Sequence, residues 1–169
     1  MRSRSRHRGF SLLELLVAAA LMASIVTAAT MVLRSTQTSW TMHTADQQNL
    51  EAAYATLRHI TRGVRQAESV TAISTAGDLS GSLTVLLASG QSVIWDHSGT
   101  QVNYGATTPS SLLANGVSEL SFVGYKADGV TTTTVPADVQ SVVCTVKVPL
   151  QRTSTPTRTL SSRVWLRAW

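Results

Sequence analysis

The chain has 169 residues, 43% of them hydrophobic and 14% charged, enough for one modest domain plus an apolar segment and too short for two ordinary domains. A net charge of +5 raises nucleic acid or acidic lipid as a partner, but Arg2, Arg4, Arg6 and Arg8 supply four of the fourteen Lys and Arg residues, and without residues 1–9 ten basic groups face nine acidic ones. The basicity therefore reads as a targeting label, and no nucleic-acid partner is expected for the rest of the chain: only Arg58, Arg62 and Arg65 cluster elsewhere, without an aromatic stacking set, and a solvated helix face accounts for them.

Residues 1–9, MRSRSRHRG, are basic and free of acids, and they end in Gly just before a long apolar run. That composition is a leader. The run from Phe10 to Leu33 carries one charge, Glu14. At about 1.5 Å per residue it is long enough to cross a hydrocarbon core, and its Ala and Leu content makes it helical. The arginines on its N-terminal side predict a cytoplasmic N-terminus and an exported C-terminal bulk. From residue 34 to about 69 nothing stops the helix, and Leu50, Ala53, Tyr54, Leu57, Ile60, Val64 and Ala67 recur on one face. Gly63 interrupts that face at modest cost, and the helix is expected to fray out by about Ser69.

Residues 70–169 predict an antiparallel sheet on which this amphipathic half packs. Ser82 to Leu87, Ser92 to Trp95, Thr100 to Tyr104, Glu119 to Tyr125, Val139 to Val148 and Arg158 to Leu166 are β-branched or aromatic runs bounded by turn residues. Ser89-Gly90-Gln91 and Asp96-His97-Ser98-Gly99 suit hairpin loops. In the run from Val139, alternation puts Val142, Cys144, Val146 and Val148 on one face, so this strand covers the helix on one side only. Gly105 to Ser111, Asp128 to Asp138 and Arg152 to Thr157 read as surface loops.

The residues Gly9-Phe10-Ser11-Leu12-Leu13-Glu14-Leu15-Leu16-Val17 resemble the processing and assembly signal of type IV prepilins and type II secretion pseudopilins. The resemblance implies cleavage after Gly9 by a membrane prepilin peptidase and methylation of the new N-terminus on Phe10. It also implies an α+β pilin-like fold and assembly with other pilins or pseudopilins through an inner-membrane platform, from a pool held in membrane lipid. A Gly before the cut suits a peptidase that must take an extended, narrow segment. Glu14 is the informative position: an acid inside a membrane helix costs roughly 2.5 to 3.5 kcal/mol on insertion scales and asks for a partner. If the helix begins at Phe10, Glu14 lies about 6 Å along the axis from the terminal ammonium. In a staggered assembly the carboxylate of one subunit meets the ammonium of the next, a pairing the resemblance implies.

Two plainer readings compete. A secretory signal has an apolar core of about 7–15 residues, shorter than this run, and needs neither Gly-Phe at its start nor an acid beyond it. A plain anchor tolerates Glu14 if it snorkels, but leaves Gly9-Phe10 unexplained. Leu112 to Phe122 and Tyr125 to Gly129, with the run from Val139 and the closing Arg163-Val164-Trp165-Leu166-Arg167, look like minor pseudopilin J and minor pilins of the W type. The type IV pilus, the DNA-uptake filament and a tethered binding domain that never polymerises stay open as alternatives.

Catalysis finds little support. Cys144 is the only cysteine, which excludes an intramolecular disulfide and a paired-cysteine metal site. His7, His43, His59 and His97 are scattered, and Asp96-His97 is expected to face solvent in a turn. Neither a phosphate loop nor a nucleophile elbow is present, so the reading is a non-enzymatic subunit with no cofactor. Trp40, Trp95, Trp165 and Trp169 fit core, interface or membrane-boundary roles.

Overall fold

The computed structural model describes residues 11–151 and 156–167. Its architecture is α+β and pilin-like, with one long N-terminal helix, α1 (Leu12–Gln66), followed by antiparallel sheets. The chain divides into two compact units, Met1–Thr41 and Met42–Trp169.

In the first unit α1 is exposed throughout its described length. Among the described residues the second unit contains the last turns of α1 and nine strands: β1 (Ala67–Ile73), β2 (Ser82–Leu87), β3 (Ser92–Ser98), β4 (Gln101–Gly105), β5 (Ser111–Asn115), β6 (Glu119–Tyr125), β7 (Thr132–Thr133), β8 (Ser141–Pro149) and β9 (Thr157–Trp165). The strands divide into two sheets, one ordered β1-β2-β3-β4-β5 and the other β7-β6-β8-β9. They meet where Ser80 bridges Leu120 in parallel: Gly81 donates its N–H to the Leu120 carbonyl at 2.8 Å, and Leu120 donates to that of Leu79 at 2.9 Å.

Helical spacing decides which side of α1 is covered. Ala53, Leu57, Ile60 and Val64 are buried against Leu83, Val85 and Trp95 of the first sheet and Phe122, Val142, Cys144 and Val146 of the second. Tyr54, expected on that face, is exposed, because one residue beyond Ala53 the helix has turned about 100°. Thr56 is buried instead, and its hydroxyl donates to the Ala52 carbonyl at 2.8 Å, which removes most of the cost of burying it. Two links tie α1 to the end of β8: Asn49 donates its side-chain amide to the Pro149 carbonyl at 3.0 Å, and Asp46 accepts the Gln151 N–H at 2.6 Å.

The expected strands are present with shifted ends, and the alternation along β8 holds, with Val142, Cys144, Val146 and Val148 buried. Three expectations need correction. The helix stops at Gln66 and β1 follows at once; Ala67 and Val70 are buried three apart because register shifts interrupt the pairing of β1 with β2, so a kinked strand imitates a helical period. Asp96, His97 and Ser98 belong to β3 and not to a turn; the turn is Gly99-Thr100 between the paired Ser98 and Gln101, with Gly99 at φ 65°. The stretch from Asp128 to Asp138 is not all loop: β7 pairs with β6, and Pro136–Asp138 forms a turn of 3-10 helix.

Candidate assembly site

The N-terminal helix is built for surroundings other than water. Leu12 and Leu13 are 85% and 75% exposed, and Leu16, Leu21, Met22, Ile25, Val26, Val32 and Leu33 are exposed as well. An uncovered apolar surface of this extent on a helix long and apolar enough to cross a membrane calls for lipid or partner helices. The hydroxyls in the run are already spent inside the helix. Ser24 donates to the Leu21 carbonyl at 2.8 Å, Thr27 to that of Ala23 at 2.8 Å and Thr30 to that of Val26 at 2.7 Å. Bonded back in this way, they present little unsatisfied polarity to hydrocarbon. The small side chains of Ala18, Ala19, Ala20 and Ala23 let a second helix approach closely.

Glu14 sits in the first turn of α1 and is exposed. Its N–H donates to Ser11 Oγ at 3.3 Å, which makes Ser11 the cap and Glu14 the third residue of the helix. The spacing Ser11-Leu12-Leu13-Glu14 is that of a capping box, a signal legible in the sequence but not used there. A carboxylate in this turn also faces the positive end of the helix dipole. Glu14 therefore has a local role at the helix start, and its side chain remains available to an incoming positive charge. Gly9 and Phe10, the expected cleavage and methylation positions, lie outside the described residues, and so does the Phe10 end of the expected spacing to Glu14.

Residues 4–30 match the family described as the prokaryotic N-terminal methylation motif. That match supports a type IV pilin-like superfamily. It spans most of the basic run, Gly9-Phe10, Glu14 and most of the apolar segment, and with the exposed helix it fits a single-pass inner-membrane protein that meets other pilins and a prepilin peptidase. The motif points to a structural subunit. No curated protein matches the chain.

The second unit holds its own polar arrangements. Trp95 is fully buried, and its indole N–H donates to Nδ1 of His59 at 3.0 Å. His59 lies edge-on to Trp95 and 4.7 Å from the Tyr104 ring centre. Burial, with the Arg62 charge as a second cause, holds the His59 pKa below its usual 6.5. These three residues line a groove of about 570 Å³ together with Arg62, Gln66 and Ser92. A Cβ on Gly63 would collide with the Trp95 ring, so the glycine that seemed a flaw in the helix is the site where the indole fits. Sequence reasoning missed this cluster because His59, Trp95 and Tyr104 come from three elements with no spacing in common.

His97 is buried, contrary to expectation, because it shares the inward face of β3 with Trp95; its Nε2 donates to the Val117 carbonyl at 3.1 Å. Trp165 is exposed, and the Arg163 guanidinium lies 5.1 Å from its ring and 4.4 Å from that of Tyr125. Arg163 also donates to the Gly129 carbonyl at 2.6 Å and to Ser141 Oγ at 3.0 Å. Asp128 closes the adjoining turn by accepting from the Thr131 hydroxyl and from the N–H groups of Val130 and Thr131. Those bonds, the hydroxyl first, hold its carboxyl down to about 2. Among the described residues no group of three or more His, Cys, Asp or Glu side chains could hold a metal ion.

Proposed function

We propose that this chain is a minor pilin or pseudopilin subunit that assembles through α1 into a type II secretion pseudopilus, at or near its tip. The observation that carries the reading is the methylation motif over residues 4–30, which from Leu12 onward lies on a helix whose apolar surface is uncovered. In this reading a prepilin peptidase cuts between Gly9 and Phe10, Phe10 is N-methylated, and the helix of the shortened chain stays in the inner membrane with the sheets on the extracytoplasmic side. An assembly platform then draws the subunit from lipid into a bundle of similar helices. There Glu14 meets the terminal ammonium of Phe10 on a neighbour, and each charge offsets the cost of burying the other.

The subunit level rests on different residues. The sole cysteine gives no C-terminal disulfide of the kind many major pilins carry, and Leu112 to Gly129 with the last two strands resembles minor subunits. N-terminal mass spectrometry of the chain recovered from membranes of a host supplying prepilin peptidase tests the route. A mature terminus at Phe10, with an added methyl group, is the expected result. A chain cut beyond Ala20 would identify a secretory signal and remove the helix on which assembly depends.

A further inference from the structure

One edge of the second sheet is open. Among the described residues β9 pairs with β8 alone, in an unbroken register from Ser141↔Trp165 to Pro149↔Thr157. Just beyond the two ends of that ladder, Leu166 donates its N–H to the Gln140 carbonyl at 2.9 Å and Leu150 donates to that of Pro156 at 2.8 Å. Backbone groups along an antiparallel pair face the partner and face away in turn. Leu160, Ser162 and Val164, in step with Pro156 and Leu166, therefore turn theirs to β8, and Thr159, Ser161, Arg163 and Trp165 turn theirs outward. This edge is long, and it contains no Pro or Gly to blunt it.

A basic flank of α1 runs beside the same edge. Tyr54, Arg58, Thr61 and Arg65 follow at steps of four, three and four, which places them on one side of the helix, next to the buried Leu57. With Ser162 of β9 they line a groove of about 530 Å³. Arg58, Arg62 and Arg65 are exposed, and among the described residues none of them forms an ion pair. Ser162 belongs to the inward row of β9 with Leu160 and Val164. A strand added outside β9 would continue that row beneath the arginines.

We propose that β9 and the arginine flank of α1 form a docking edge for an extended acidic segment of another subunit, which joins the sheet β7-β6-β8-β9 as an additional strand and sets alternate carboxylates against Arg58 and Arg65. The occupant rests on the reading of this chain as an assembling subunit; its chemistry rests on the edge and the charge. A row of outward N–H and carbonyl groups is complementary to another peptide backbone, and unpaired guanidinium groups favour carboxylates. Nucleic acid or anionic lipid would use the arginines and leave the edge unpaired.

The test uses the full chain in detergent micelles and a short capped peptide of alternating glutamate and valine, with a lysine-for-glutamate peptide as its counterpart. Binding of the glutamate peptide is expected to slow amide exchange at Thr159, Ser161, Arg163 and Trp165. The double variant Arg58→Glu with Arg65→Glu should weaken that peptide by about tenfold or more and admit the lysine peptide. Ser161→Pro removes one outward N–H and leaves the bonds to β8 intact, so it should lower affinity by a similar factor of about ten at unchanged Tm. Failure of the glutamate peptide to bind, binding without protection of the edge, or equal binding of the lysine peptide overturns the proposal. Tighter binding of phosphatidylglycerol vesicles or of a single-stranded oligonucleotide, with the edge unprotected, overturns it in favour of those partners. Processing at Phe10 is read by mass spectrometry alone, so the docking edge and the subunit reading fail separately.

Discussion

Gly63 and His59 belong to the same turn of α1 and serve the same neighbour. Replacing Gly63 with Ala adds a methyl group where the Trp95 ring already lies. The gain in helix propensity, about 1 kcal/mol, is outweighed by overpacking, for an expected net loss of about 1–2 kcal/mol. A lower Tm of the full chain in detergent, with a changed tryptophan emission, is the measurement. His59 must keep Nδ1 unprotonated to accept the Trp95 N–H. Its folded pKa lies below 6.5, so the unfolded chain takes up the proton first. The stability from this contact is complete above 6.5 and is lost as pH falls below it toward the depressed folded value. Thermal scans of the native chain and of His59→Gln should therefore run parallel above 6.5 and converge below it.

At the scale of elements, what was legible in the sequence followed from repetition. The apolar run, the face marked by Ala53, Leu57, Ile60 and Val64, and the alternation of β8 all repeat a period and could be read locally. Elements whose shape depends on a partner could not. The local sequence carries the helix on into the start of β1, as far as about Ser69, because nothing before that point stops it and the irregular pairing with β2 is invisible there, and it cuts β3 short because Asp96-His97-Ser98-Gly99 has turn chemistry in isolation. Tyr54 and Thr56 exchanged places for a finer reason, the angle of a helix whose covered face only the packed sheets define. The candidate site divides in the same way: Glu14 and its surroundings are a local motif, and the two grooves are products of the fold. The clamp around Arg163 joins β9 to the turn at Gly129. Arg163→Ala removes two ring contacts and the charged bond to Gly129, and should cost about 1–2 kcal/mol. Amide exchange should quicken at Val130 and Thr131 while the middle of β8 is unaffected. Ile60→Ala, by contrast, opens a cavity where α1 packs on the sheets and should cost about 2–5 kcal/mol across the whole second unit.

For the whole molecule, the proposed assembly concentrates on one carboxylate. Glu14→Leu relieves an insertion cost of roughly 2.5 to 3.5 kcal/mol, so the variant should reach the membrane at least as well as the native chain. It should then fail to enter filaments, for want of a charge to meet the neighbour's terminal ammonium. Comparing membrane and sheared-filament fractions by immunoblot separates the two effects; undiminished entry into filaments would refute the pairing. Cys144 has a different consequence. Its thiol is 1% exposed, and burial pushes its pKa far upward, so neither cross-linking between copies nor attack by an oxidant has a route to it. The second unit thus folds around packed side chains without a covalent staple, and reducing and oxidising surroundings should leave it with the same melting point.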